Sequence, residues 1–234
     1  APRRSATSGP RALPPGPVAV SSQSGALGLA LLEKAQQRGI GLSAFVSIGN
    51  KADVSSKDLL ECWEDDPETG LVALYLESFG NPRRFGRIAR RVARKKPILA
   101  MKSGTTATGA RAASSHTAAL AGSETAVDAL FRQAGVIRAD TLEELIDAAA
   151  LFSGQPLPAG NRVAVRTNAG GLGILCADAC DAAGLDLPSL APETEAALRE
   201  VIPAEASVAN PVDMLGSATE DTYERVLPIV LTDP

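Results

Sequence analysis

The sequence predicts an α/β protein: two doubly wound domains, each built on a parallel sheet. Three observations predict it. Short apolar or β-branched runs at 17–21, 71–76, 97–101 and 162–166 alternate with stretches of helical period. Two of the strand–turn–helix units carry similar turns of small residues, at 22–25 and 167–173. Aromatics are 3% of the chain against 45% hydrophobic residues, so the core must be built from Ala, Val, Leu and Ile, as buried parallel strands favour.

The elements follow in order. Residues 1–16 are rich in Pro and Arg without apolar period and read as a linker or disordered lead-in; they lack an initiator Met, so a piece of something longer is expected. Residues 17–21 form a strand, Ser22-Gln23-Ser24-Gly25 a turn, and 26–38 a helix stopped by Gly39. A strand at 43–48, a helix at 56–64 and a near-continuous apolar strand at 71–76 come next. The Arg-rich segment 82–96 has Phe85, Ile88, Ala89 and Val92 at helical spacing, so its cations form the wet face of an amphipathic helix. Pro97 opens the next strand. A helix at 124–134, a short edge strand at 136–137 and a helix to about Phe152, opened by a Thr141–Glu144 capping box, complete a domain at 17–152. Residues 153–160 are a linker. The second domain, 161–234, repeats the logic: strand 162–166, a glycine-rich turn, helix 174–183, strand 185–187, helix 193–201, a strand-edge or turn piece at 210–213 and helix 219–231. It stops before a further strand and is expected to be incomplete, with a sheet edge open to pairing with another copy.

Bulk properties exclude several classes. At 234 residues the chain suits one large or two small domains. A net charge of −4 argues against nucleic acid or an anionic membrane as partner. There is no apolar run of membrane-spanning length and no signal peptide, so the compartment reads as cytoplasmic. Cys62, Cys176 and Cys180 make no disulfide framework, and the last two read as buried small hydrophobes rather than metal ligands. No metal site is expected.

The chemistry concentrates in the stretch 102–122, KSGTTATGARAASSHTAALAG, which holds the single histidine, His116, among small and hydroxylated residues. Imidazole can carry a covalent intermediate; the plain alternative is a loop histidine with no task. A helix start after a strand presents unsatisfied N–H groups and about half a positive charge, which suits an anion. The turns at Ser22–Gly25 and Asn168–Gly171 both have that form, although serine caps open many helices with no ligand. The second turn is only loosely a dinucleotide fingerprint. Glu77 ends the strand at 71–76, where α/β proteins place ligand groups, and could accept from the second imidazole nitrogen. Both helix starts are expected to face one phosphoryl group on His116.

VAVSSQSGAL, SIGNKAD, LESF, KSG and SHTAALAG together resemble the NDP-forming acyl-CoA synthetases, relatives of succinyl-CoA synthetase. The resemblance runs from about Gly16 to the end. It implies two flavodoxin-like ligase domains and a phosphohistidine relay interconverting acyl-CoA, phosphate and ADP with acid, CoA and ATP. His116 matches the phosphorylated histidine and Glu77 its supporting glutamate. Ser22, Gln23, Ser24 and Gly25 match one phosphate-holding helix start, and Ala169, Gly170, Gly171 and Leu172 the other. Coenzyme A and Mg-ATP/ADP are the implied cofactors, bound mainly by a CoA-binding and an ATP-grasp domain that this chain lacks. The implied partners are those domains, acyl-CoA or a carboxylic acid, phosphate, and further copies in a homo-oligomer. The acyl group, and ADP against GDP, stay open. The family usually has glycine where this chain has Ala118. If that glycine uses positive φ, alanine costs about 1 kcal/mol or more and lowers phosphorylation efficiency. Similar non-catalytic domains also occur fused to lysine acetyltransferases, and a regulatory module of that kind is the alternative.

Overall fold

The computed structural model describes residues 13–49, 53–106, 108–109 and 124–234. The chain divides between Leu157 and Pro158 into two compact units.

The first unit is a five-stranded, wholly parallel sheet in the order β2-β1-β3-β4-β5. Its strands are β1 (Pro15–Ser22), β2 (Leu42–Ser47), β3 (Leu71–Leu76), β4 (Ile98–Lys102) and β5 (Val136–Ala139). Its helices are α1 (Gly25–Gln37), α2 (Ser56–Glu64), α3 (Pro82–Val92), α4 (Glu124–Ala134) and α5 (Leu142–Gly154). All six residues of β3 are buried because helices cover both faces, which is why the strand reads as an unbroken apolar run. Successive side chains serve opposite cores. Val72, Leu74 and Leu76 pack with Leu60, Phe85, Ile88 and Phe131 from α2, α3 and α4, while Leu71, Ala73 and Tyr75 pack with Leu31, Leu145 and Ile146 from α1 and α5. A 2-1-3-4-5 order is that of flavodoxin-like folds, and it opens a crevice between the carboxyl ends of β1 and β3, where the strand order reverses.

The second unit is smaller. Strands β6 (Arg166–Thr167) and β7 (Val212–Asp213) pair in parallel. Helices α6 (Gly170–Ala182), α7 (Pro192–Val201) and α8 (Glu220–Leu231) accompany them. Leu198, Val212, Met214, Val226 and Val230 form the core.

Several boundaries differ from those the sequence suggests. Strand β1 starts at Pro15, inside the expected lead-in, with Leu42 N–H donating to the Pro14 carbonyl. Helix α3 ends at Val92, since Pro97 disfavours helix before it and Lys95 and Lys96 turn back onto the Val92 carbonyl. Helix α5 runs through Gly154, into the expected linker. Its capping box is displaced: Thr141 Oγ1 accepts from Glu144 N–H at 3.1 Å, but Glu144 Oε2 accepts from Asp140 N–H at 2.8 Å. The expected strands 162–166 and 185–187 shrink to β6 and a single Arg162–Asp186 bridge. Helix α6 begins four residues before the expected start, taking the glycine-rich turn into its first turn. Cys180 is buried, but Cys62 and Cys176 are exposed, contrary to the expectation for Cys176.

Candidate functional site

Strand β1 ends in two buried serines and passes straight into α1. Ser22 Oγ accepts from Ser24 N–H at 3.2 Å and donates to the Ser24 carbonyl at 2.6 Å, closing the turn locally. Ser24 is the N-cap, its Oγ 3.4 Å from Leu27 N. Among the described residues the N–H groups of Gly25 and Ala26 have no acceptor, as expected of a first helical turn. Among the described residues a Cβ on Gly25 would meet nothing within 4 Å, so none of them covers these donors.

Glu77 is the first residue after β3, which lies between β1 and β4. Register places Ser22 opposite Tyr75 and Leu76 opposite Lys102. The structure thus brings Ser22–Gly25, Glu77 and the start of the histidine stretch to three adjacent strand ends. His116 and Ala118 lie outside the described residues. Gln23 is directed away from the opening: its N–H donates to the Tyr75 carbonyl at 3.2 Å and its side chain is bonded to the turn after β3.

Two residues near these strand ends, Lys57 and Tyr75, carry no flag in the sequence, and Lys102 is marked there only as the first residue of KSG. Lys102 donates to the Ser103 carbonyl and lies 5.8 Å from the Phe79 ring centroid. Burial pushes its ammonium below the ordinary lysine value, and the Glu77 carboxylate opposes that shift. Lys57, also buried, donates to the Phe79 carbonyl at 3.0 Å, and burial lowers its pKa too. The buried Tyr75 phenol is pushed up by desolvation, against a hydrogen bond with Ser103. A lysine closing the otherwise apolar run PILAMK was the available signal for Lys102.

The second unit repeats the turn. Thr167 Oγ1 accepts from Ala169 N–H at 3.0 Å and donates to the Ala169 carbonyl at 3.1 Å, as Ser22 does with Ser24. Aligned, Ser22-Gln-Ser-Gly-Ala-Leu-Gly28 and Thr167-Asn-Ala-Gly-Gly-Leu-Gly173 share the glycines that open the helix and pack it on the strand. Gly170, Gly171 and Leu172 form the first turn of α6, and Ala169 is its N-cap. One detail departs from the expected anion seat. A Cβ on Gly170 would lie 2.6 Å from Asp213 Oδ2, so the close approach which that glycine permits is made by the chain's own carboxylate. Leu172, Ile174 and Leu175 are exposed on α6. Among the described residues no helix is long and apolar enough to cross a membrane.

Comparison with known proteins follows the same division. Residues 15–152 match the succinyl-CoA ligase like flavodoxin domain, and residues 163–234 the ligase-CoA domain. The chain is 47% identical over 219 residues to an ADP-forming acetate–CoA ligase II subunit alpha of Pyrococcus furiosus, covering 94% of this chain and 48% of that protein. It is 42% identical over 221 residues to an ADP-forming 4-hydroxybutyrate–CoA ligase of Nitrosopumilus maritimus, covering 94% of this chain and 32% of that one. An acetyl-coenzyme A synthetase 1 of Ca. Korarchaeum cryptofilum, solved with phosphate and ADP, superposes with a TM-score of 0.89 at 41% identity, over 97% of this chain and 49% of that chain. The chain therefore spans at most about half the length of these relatives. With that sequence match, that sheet order and a repeated hydroxyl-closed turn, the chain belongs to the succinyl-CoA ligase-like flavodoxin family, with a ligase-CoA domain following.

Proposed function

We propose that this chain carries the phosphohistidine centre of an NDP-forming acid–CoA ligase, which interconverts acyl-CoA, phosphate and ADP with acid, CoA and ATP. The observation that supports it best is the meeting of three features at adjacent strand ends: open N–H donors at Gly25 and Ala26, a carboxylate at Glu77, and β4 leading into the segment that holds His116. In this reading one imidazole nitrogen of His116 attacks the phosphorus of an acyl phosphate. An N–P bond forms, the P–O bond to the acyl group breaks, and the carboxylate leaves with the electron pair. Glu77 accepts from the other ring nitrogen and fixes the tautomer. The donors at the start of α1 stabilise the phosphoryl oxygens, and those at Ala169–Leu172 offer a second, weaker anion seat. An oxygen of the nucleoside diphosphate then takes the phosphoryl group, and the N–P electron pair returns to the ring.

CoA, Mg-ATP/ADP, the acid and the companion CoA-binding and ATP-grasp parts belong to this proposal, as do a homo-oligomeric assembly and a cytoplasmic setting. Incubation of the chain with labelled acetyl phosphate tests it. Acid-labile, base-stable label that disappears in His116→Ala is the expected result. Label surviving in His116→Ala sinks the role of that residue, and no label on folded protein favours the regulatory module.

A further inference from the structure

The turn after β3 is held from outside at both ends. Gln23 is 6% exposed and reaches it from β1. Its Oε1 accepts from Glu77 N–H and from Ser78 N–H, each at 2.9 Å, and its Nε2 donates to the Ser78 carbonyl at 2.9 Å and to Ser56 Oγ at 3.4 Å. Lys57 Nζ takes the Phe79 carbonyl at 3.0 Å, and Gly80, at φ +64°, folds back so that its N–H donates to Ser78 Oγ at 3.0 Å. A buried amide must find partners somewhere. These partners are specific, however, because the two N–H groups that Gln23 binds belong to the peptide groups on either side of the Glu77 Cα. Holding both fixes the direction in which the Glu77 side chain leaves the backbone.

We propose that Gln23 is a positioning residue for Glu77, a clamp across the β1–β3 crevice, rather than a ligand of phosphate. This rests on the role proposed above for Glu77 and His116. A carboxylate that sets a tautomer must be held within a fraction of an ångström. The Gln23 amide supplies that restraint and, in doing so, has no free donor to offer an anion: its N–H, Oε1 and Nε2 are all engaged within 3.4 Å.

The test is labelling of the chain by acetyl phosphate, read as a maximal rate and a half-saturating donor concentration, in Gln23→Met, Glu77→Gln and the double variant. Methionine keeps the length and removes every side-chain hydrogen bond; should it unfold, Gln23→Asn, one methylene shorter, replaces it. Loss of the clamp is expected to lower the maximal rate about 10–100-fold, as loss of an orienting partner does, with the half-saturating concentration within about 3-fold of wild type. In the Glu77→Gln background Gln23→Met should cost nothing more, since it acts through Glu77. A half-saturating concentration raised about tenfold or more at unchanged rate makes Gln23 a ligand and overturns the proposal. Losses that multiply in the double variant, or a Gln23→Met protein that labels like wild type, overturn it as well. If Glu77→Gln alone labels at the wild-type rate, the role of Glu77 in the proposed function falls first, a result distinct from failure of Gln23 only.

Discussion

Gly28→Ala should separate the stability of α1 from the placement of its first turn. Alanine in a helix interior is favoured over glycine by about 1 kcal/mol. Here the added Cβ would lie 2.9 Å from Phe45 Cζ, 3.3 Å from Ser22 Cβ and 3.4 Å from Ser22 Oγ. The Phe45 contact is with the tip of a half-buried ring, which can swing by a few tenths of an ångström. The Ser22 contact cannot yield so cheaply, because Ser22 is fully buried and its Oγ holds both polar groups of the Ser24 backbone. Overpacking costs typically about 1–3 kcal/mol, so the net is a destabilisation of about 0–2 kcal/mol, or a fall of a few degrees in Tm. The larger effect falls on chemistry: moving Ser22 moves the Gly25 and Ala26 donors, and an ångström-scale misplacement can cost about 100-fold in rate. Thermal unfolding and acetyl phosphate labelling on the same sample read both. Gly25→Ala is the companion. Its Cβ meets nothing within 4 Å, so Tm should hold or rise while labelling falls, because the methyl occupies the anion's space. A Gly28→Ala protein with raised Tm and full labelling would refute the idea that close packing at Gly28 sets the α1 donors.

Two other expectations follow from burial. The Lys57 pKa is lowered in the folded state, so at pH values between its folded and unfolded pKa the unfolded chain binds more protons, and stability rises with pH through that window. Lys57→Met should flatten that slope in urea unfolding followed from neutral pH toward the ordinary lysine value; an unchanged slope counts against the assignment. Native alkylation should modify the exposed Cys62 and Cys176 and spare the buried Cys180, whose thiol is also pushed up by desolvation. Mass spectrometry giving rapid reaction at all three would contradict the burial of Cys180 on α6.

The first unit was legible wherever one signal dominated. The unbroken apolar run LVALYL could only be a doubly covered strand, and SKDLLECWE placed α2 residue for residue. The second unit was harder to read because its short segments carry no such dominance. VAVR looks like a strand, yet only Arg166 and Thr167 find a ladder partner, in Val212 and Asp213. The site divided in the same way. Strand-end position flagged Glu77, and the β1–α1 turn flagged Ser22–Gly25. What Gln23 touches depends on β3 lying beside β1, a contact between residues 54 and 55 positions apart, which no local pattern encodes. The burial of Lys57 and Lys102 is hidden from the sequence for a related reason: a lysine reads as surface until the fold buries its stem.

An anion seat made of backbone donors asks the polar side chains around it to shape the turn and then leave the donors open. In the first unit Ser22 is committed to Ser24, Ser24 to Leu27 and Gln23 to residues 77 and 78, so the opening is lined by N–H groups and no competing acceptor of the turn itself. The second unit closes its turn with Thr167 in the same way but sets Asp213 Oδ2 against Gly170. Two like charges about 4 Å apart repel by about 1 kcal/mol in water and about 4 kcal/mol at the effective dielectric of a protein surface. That repulsion is comparable to, or larger than, the 0.3–2 kcal/mol or so that a helix start typically contributes to a charge. The two turns, each closed by a hydroxyl, are therefore unequal as anion seats at the glycine that opens the helix: among the described residues nothing lies within 4 Å of a Cβ on Gly25, whereas Gly170 faces Asp213 Oδ2.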